Sequence, residues 1–250
     1  LEPSVLRASP RPSQEGLDNK KKIAMLTMCI GAEYQKKWKS AARSKEIYCN
    51  LHGYDFIFIK ETMDANRKAH WTKLKALRKH LKDYDWIFYS DADAHIMNFD
   101  KKLEDFIRAF SRDNKVFMII TRDNVCLNSG NFFMKNCKRT FDYIDASYKN
   151  FPPKANYPIG RFLCNFNDQF GMYIESKKTK FKNGILFVPQ RVFNAYACPC
   201  CGQKYQAGDF LIHFVNHKRP FHNWAGDTKM NLPDIYKIPE VQVVRNPDGV

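Results

Sequence analysis

The chain has 250 residues, of which 44% are hydrophobic and 14% aromatic, and a formal net charge of +15. That length and apolar content fit one large or two small globular domains and exclude a disordered chain. Eight scattered cysteines are too sparse for a small disulfide scaffold, and no apolar run approaches the roughly 20 residues of a membrane helix.

The lysine and arginine excess suggests an anionic partner or simply a solvated basic surface. Nucleic acid is disfavoured as that partner. The chain has no zinc-finger spacing, aromatic RNA-binding signature or basic zipper. Cys29, Cys126 and Cys164 lie among apolar residues and read as buried thiols. Cys198-Pro199-Cys200-Cys201 reads as a loop or local disulfide, because a second zinc-ligand pair at suitable spacing is not evident.

Residues 1–19 are rich in Pro, Ser, Arg and Glu and lack periodicity, as expected of a flexible stem. From Lys20 the chain alternates. Ile23 to Met28 is a strand, and residues 34–51 have helical spacing through Trp38, Ala41, Ala42, Lys45 and Tyr48. Gly53 ends that helix. Phe56 to Ile59 is a second strand, and residues 68–82 form an amphipathic helix. Trp71, Leu74, Leu77 and Leu81 share its apolar face, and Lys68, Lys75, Arg78, Lys79 and Lys82 cover the other. A third strand, Trp86 to Tyr89, runs into Asp91. A helix at 100–111 and a fourth strand at 116–121 follow.

This order predicts an α/β sheet, parallel in this half and covered on both faces. The second half is mixed. Strands are expected at Asn131 to Met134, Ile185 to Val188 and Phe210 to Phe214, with helices at 137–149 and 167–176 and a loop at 151–161. One domain from 20 to 238 is expected, with an extended tail at 239–250.

Ser90-Asp91-Ala92-Asp93-Ala94-His95 carries the chemistry. Two carboxylates at i and i+2 past a strand end converge on one point. Mg²⁺ or Mn²⁺ takes a few such oxygens and completes its shell with phosphate and water. In phosphatase-type folds the first aspartate sits on the first strand, with Thr or Val two residues past the second. Here the pair follows the third strand, and His95 occupies that position. The placement favours GT-A glycosyltransferases, in which a nucleotide-binding half precedes the pair.

Further segments fit that class. His70-Trp71-Thr72-Lys73 through Asn98, Asn128-Ser129-Gly130-Asn131, Asn167-Asp168-Gln169, Val188-Pro189-Gln190 with Phe193-Asn194-Ala195-Tyr196, and Gly208 to Phe214 resemble glycosyltransferase family 34 in consistent order. The family includes galactosyl-, mannosyl- and xylosyltransferases. The resemblance implies a GT-A-like single domain, with a Rossmann-like nucleotide-binding half and a mixed acceptor-binding half. It implies Mn²⁺, with Mg²⁺ as the alternative, held by Asp91, Asp93 and His213. By itself His213 reads as a core histidine.

Ser90, Asn128 and Lys218 would meet the nucleotide-sugar donor, Lys218 at its diphosphate. Lys73 is either donor-facing or structural. Ser129 and Gly130 would lie against the donor sugar, or else form a tight turn before a strand. Asp168 and Gln169 would flank the anomeric carbon and acceptor, with helix capping as the competing reading. The implied reaction moves a sugar from a UDP- or GDP-sugar to a glycan hydroxyl with retention of configuration. A metal-dependent phosphohydrolase and a non-catalytic basic binding module are the alternatives. Family resemblance also implies a Golgi-lumenal enzyme carried on an N-terminal anchor outside this chain, with a cytoplasmic enzyme as the alternative. The chain departs from the family after Phe214, where Val215-Asn216-His217 replaces the usual small residue and cysteine.

Overall fold

The computed structural model describes residues 21–124, 126–150, 168–198 and 202–215. The expected stem, the loop at 151–161, Asn167, Cys164, Lys218 and the tail lie outside them, as do both domain boundaries.

In chain order the elements begin with β1 (Ile23–Met28), α1 (Ala32–Lys37), α2 (Lys39–His52), β2 (Asp55–Ile59), α3 (Thr72–His80) and β3 (Trp86–Ser90). Next come β4 (Ala94–Ile96), α4 (Leu103–Phe110), β5 (Met118–Arg122), β6 (Leu127–Lys135) and α5 (Lys138–Lys149). The chain continues with α6 (Asp168–Ser176), α7 (Thr179–Lys182), β7 (Ile185–Val188), β8 (Ala195–Tyr196) and β9 (Leu211–His213).

The periodic segments fold much as their patterns require. Gly53 closes α2 in the left-handed region, at φ 73° and ψ 33°, where a side chain would be strained. Leu74 and Leu77 of α3 are fully buried, each contributing about 1.5–3 kcal/mol of transfer free energy. The expected helix at 34–51 is instead two helices that break at Trp38. The buried indole of Trp38 packs against His95 and Phe214 at ring separations of 6.0 and 5.9 Å. That anchoring belongs to the tertiary structure and outweighs local helical periodicity.

The main sheet has the order β2-β1-β3-β6-β5-β7. β1 runs parallel to β2 and β3, and β5 runs parallel to β7. β6 is antiparallel to both β3 and β5. Both faces are covered. Ala24, Leu26, Ile87, Tyr89 and Phe132 pack under α3, α5 and α6. Ile23, Met25, Trp86, Phe88 and Phe133 pack under α2 and α4. Strand alternation sends neighbouring residues to opposite layers, so strands buried on both faces are apolar throughout.

A second sheet, β4-β9-β8, lies beyond the carboxyl end of β3. The expected strand at 210–214 belongs there and not in the main sheet. Reversal of β6 matters most for the site. It places the amino end of that strand, Asn128 to Asn131, against the carboxyl end of β3, with Ser90 opposite Asn131.

Candidate active site

β3 ends at Ser90, and the turn after it is closed by the Ala94 amide donating to the Asp91 carbonyl at 3.1 Å. The chain then enters β4, where Ala94 pairs with His213 of β9. This pairing brings a histidine 120 residues away to the two aspartates. His213 Nε2 lies 3.2 Å from Asp93 Oδ1 and 3.8 Å from Asp91 Oδ2. One ligand atom from each of the three residues falls within 4.8 Å of the others.

The tautomer of His213 follows from its neighbours. Nδ1 lies 2.8 Å from Asn194 Oδ1, which only accepts, so Nδ1 carries the proton. Asn194 is itself fixed, because its amide donates to Thr121 Oγ1 and Asn128 Oδ1, each at 2.8 Å. Nε2 therefore faces the two carboxylate oxygens, as a donor to Asp93 when protonated and as a metal ligand when not. With Nε2 deprotonated, three electron-rich atoms converge on one point, the arrangement that a divalent cation requires. The oxygen and nitrogen donor set suits a divalent metal ion.

Burial raises the Asp91 carboxyl above the ordinary range, with Lys73 opposing and the Asp93 charge adding to it. Burial acts on Asp93 in the same direction. Its contact with His213 outweighs burial and holds the group below the ordinary range.

Gly130 is explained by His213. A Cβ on residue 130 would lie 2.3 Å from His213 Cε1 and 3.0 Å from Asp91 Oδ2. The residue sits within β6 and not in a turn before it. Its lack of a side chain is used by the imidazole.

Beside the triad, Lys73 is buried against the central strands β3 and β6. Its ammonium donates to the Ser129 carbonyl at 2.8 Å and pairs with Asp168 at 2.9 Å and Asp91 at 3.4 Å. Burial opposes that charge, but Asp168 and Asp91 outweigh it and hold the lysine above its usual value. Asp168 begins α6, a position the helix dipole favours for a carboxylate. Its Oδ2 also accepts from the Ser129 hydroxyl at 3.2 Å. Gln169 accepts from the Ser129 amide at 3.0 Å. Lys73, Asp91, Ser129, Asp168 and Gln169 thus form one connected group.

Two expected donor contacts are turned inward. Ser90 is fully buried, and its hydroxyl donates to Asn131 Oδ1 at 2.8 Å. The Asn128 amide donates to Asp123 at 3.0 Å and Tyr196 at 2.5 Å, while its oxygen accepts from Gly130 and Asn194. Both hydrogen-bond within the protein, where the antiparallel pairing of β6 with β3 sets Asn131 opposite Ser90.

Sequence reasoning missed Asn131, Asn194 and Lys45 as site residues. Asn131 and Asn194 lay inside the family-like segments and Lys45 on a helix with apolar spacing. Lys45 is fully buried on α2, and burial pulls its ammonium down to about 8 against the aspartates. Cys29 is a buried thiol as expected, and burial pushes it up to about 11. Cys126 is only half-buried. No helix among the described residues is long and apolar enough to cross a membrane.

A six-stranded, mostly parallel sheet with one reversed strand, and an acidic pair at the end of β3, define the GT-A glycosyltransferase fold. Solved structures agree. A glycosyltransferase involved in glycosylating the major capsid of PBCV-1 superposes with a TM-score of 0.57 at 13% identity, over 84% of this chain and 99% of that one. Mouse xyloside xylosyltransferase 1 gives 0.51 at 10% identity, over 80% and 99%. The chain belongs to the galactosyl transferase GMA12/MNN10 family, glycosyltransferase family 34, whose model matches residues 19–219.

Relatives include xyloglucan 6-xylosyltransferase 4 of Arabidopsis thaliana, 29% identical over 126 residues, covering 47% of this chain and 24% of that protein. Galactomannan galactosyltransferase 1 of Cyamopsis tetragonoloba is 23% identical over 124 residues, covering 46% and 28%. The match spans about a quarter of the length of the curated relatives.

Proposed function

We propose that this chain is a retaining, metal-dependent glycosyltransferase that moves a hexose or pentose from a nucleoside-diphosphate sugar to a glycan hydroxyl. The observation that carries this reading is the convergence of Asp91, Asp93 and His213 beside the Lys73–Asp168 pair. The first three would hold Mn²⁺ or Mg²⁺, and that ion supplies Lewis-acid stabilisation of a departing diphosphate. Lys218, outside the described residues, is assigned to the same diphosphate.

The order of strands orients the donor. The cradle stands at β3, and Ser129, Asp168 and Gln169 stand on the β6 side. The sugar is therefore assigned to β6 and the nucleoside to β1. Asp168 is already neutralised by Lys73, which weakens it as a nucleophile. This supports front-face transfer. The acceptor oxygen bonds to the anomeric carbon as the carbon–phosphate-oxygen bond breaks, and the acceptor proton passes to the leaving phosphate oxygen. The Lys73–Asp168 pair stays on the β6 side of the site and positions the donor sugar.

Placement in the Golgi lumen belongs to the same proposal and rests on the family alone. A thermal-shift screen of UDP- and GDP-sugars with Mn²⁺ identifies the donor, because bound ligand raises apparent stability. Asp93→Asn is then expected to lower transfer at least about 100-fold while unfolding stays cooperative. Undiminished transfer by that variant would overturn the reading. Hydrolysis of simple phosphate esters without any sugar nucleotide would favour a phosphohydrolase.

A further inference from the structure

Helix α2 is fastened to the segment that carries the aspartates by a row of side chains. Ser44 Oγ accepts from the Ile96 amide at 3.3 Å, and Tyr48 donates to the Lys101 carbonyl at 2.6 Å. His52 Nε2 meets the Phe99 carbonyl at 2.6 Å. The fourth member is Lys45, whose ammonium donates to the Asp91 carbonyl at 2.5 Å.

Helix packing does not need Lys45. A fully buried ammonium carries a desolvation penalty that an apolar side chain of similar volume avoids. Ser44 and Tyr48 in the same row achieve their tethers with hydroxyl groups. What distinguishes Lys45 is the atom it holds. The Asp91 carbonyl also receives the Ala94 amide and so closes the turn between the two aspartates. Orientation of that peptide determines where the Asp91 and Asp93 side chains leave the backbone.

We propose that Lys45 is a positioning residue for the metal cradle, its ammonium fixing the Asp91 carbonyl and with it both carboxylates. The inference rests on the metal-dependent reading of the site. It assigns α2 a part in metal binding although α2 contributes no ligand.

The test is Mn²⁺ binding to the full chain without nucleotide, followed through the EPR signal of the free ion. Lys45→Met is expected to weaken binding about 10–100-fold, the range for groups that orient metal ligands. Excess Mn²⁺ should restore its transferase activity, which a global structural defect would not allow. Tyr48→Phe removes the neighbouring tether and is expected to lower Tm with no change in the Mn²⁺ Kd. An unchanged Kd in Lys45→Met overturns the proposal. So does a tighter one, which would make Lys45 only an opposing charge. Lys45→Gln, shorter and uncharged, decides the same question if the Met variant does not fold. Failure of the wild-type protein to bind Mn²⁺ at all would overturn the metal site itself, a result distinguishable from the others.

Discussion

Gly130→Ala places one methyl group where the site has no room. The new Cβ would sit 2.3 Å from His213 Cε1, and 3.0 Å from both Asn128 Oδ1 and Asp91 Oδ2. Carbon atoms rest at about 3.5 Å or more, so the imidazole must retreat by about 1 Å. Its Nδ1 is tied to Asn194 at 2.8 Å, and the ring is buried at 3% exposure, so retreat breaks that bond or strains the ring. Overpacking of this kind costs about 1–3 kcal/mol. For a chain of this size that corresponds to about 2–12 °C of Tm.

Metal affinity should suffer more, because ligand distances tolerate only about 0.2 Å. Thermal unfolding in EDTA reads the overpacking alone, and Mn²⁺ titration reads the ligand set. In Gly130→Ala/His213→Ala the ring is gone, and the added methyl should cost less than it does in the presence of His213. Wild-type Tm and wild-type Mn²⁺ affinity in Gly130→Ala would refute the close approach of these two residues.

Other expectations follow from the same geometry. Asn194→Ala removes the acceptor for His213 Nδ1 and the partner of Thr121 and Asn128. It should destabilise the fold by about 1–3 kcal/mol and weaken Mn²⁺ binding about 10–100-fold, measured by denaturant unfolding and metal titration. Lys73→Met strands Asp168, which is only 3% exposed, without its ion-pair partner. A loss of about 3–5 kcal/mol is expected on urea unfolding, largely relieved in Lys73→Met/Asp168→Asn. If the double variant is no more stable than the single, the pair is not coupled.

Much of the fold was legible because hydrophobic periodicity is local. β1, β2, β3, β5 and β7 fall where apolar runs lie, and α3 buries the leucines its spacing lines up. The site was legible in part. Asp91 and Asp93 declare themselves by two-residue spacing at a strand end. His213 needed family resemblance, since a lone histidine in an apolar run reads as core. Asn131 and Asn194 lay inside the family-like segments and Lys45 on a helix with apolar spacing, but none of this says what they touch.

The sequence by itself determined most strands and helices of the main sheet layers, the acidic pair and the class of chemistry that pair invites. Only the tertiary structure decided that β6 runs backwards between β3 and β5, that β9 pairs with β4 to deliver His213, and that Gly130 makes room for its ring. The reason is physical. Alternation along a strand shows which faces are buried but carries no record of which strand lies alongside. Strand pairing is settled by packing between residues far apart in the chain, and in this protein the site is assembled by such pairings.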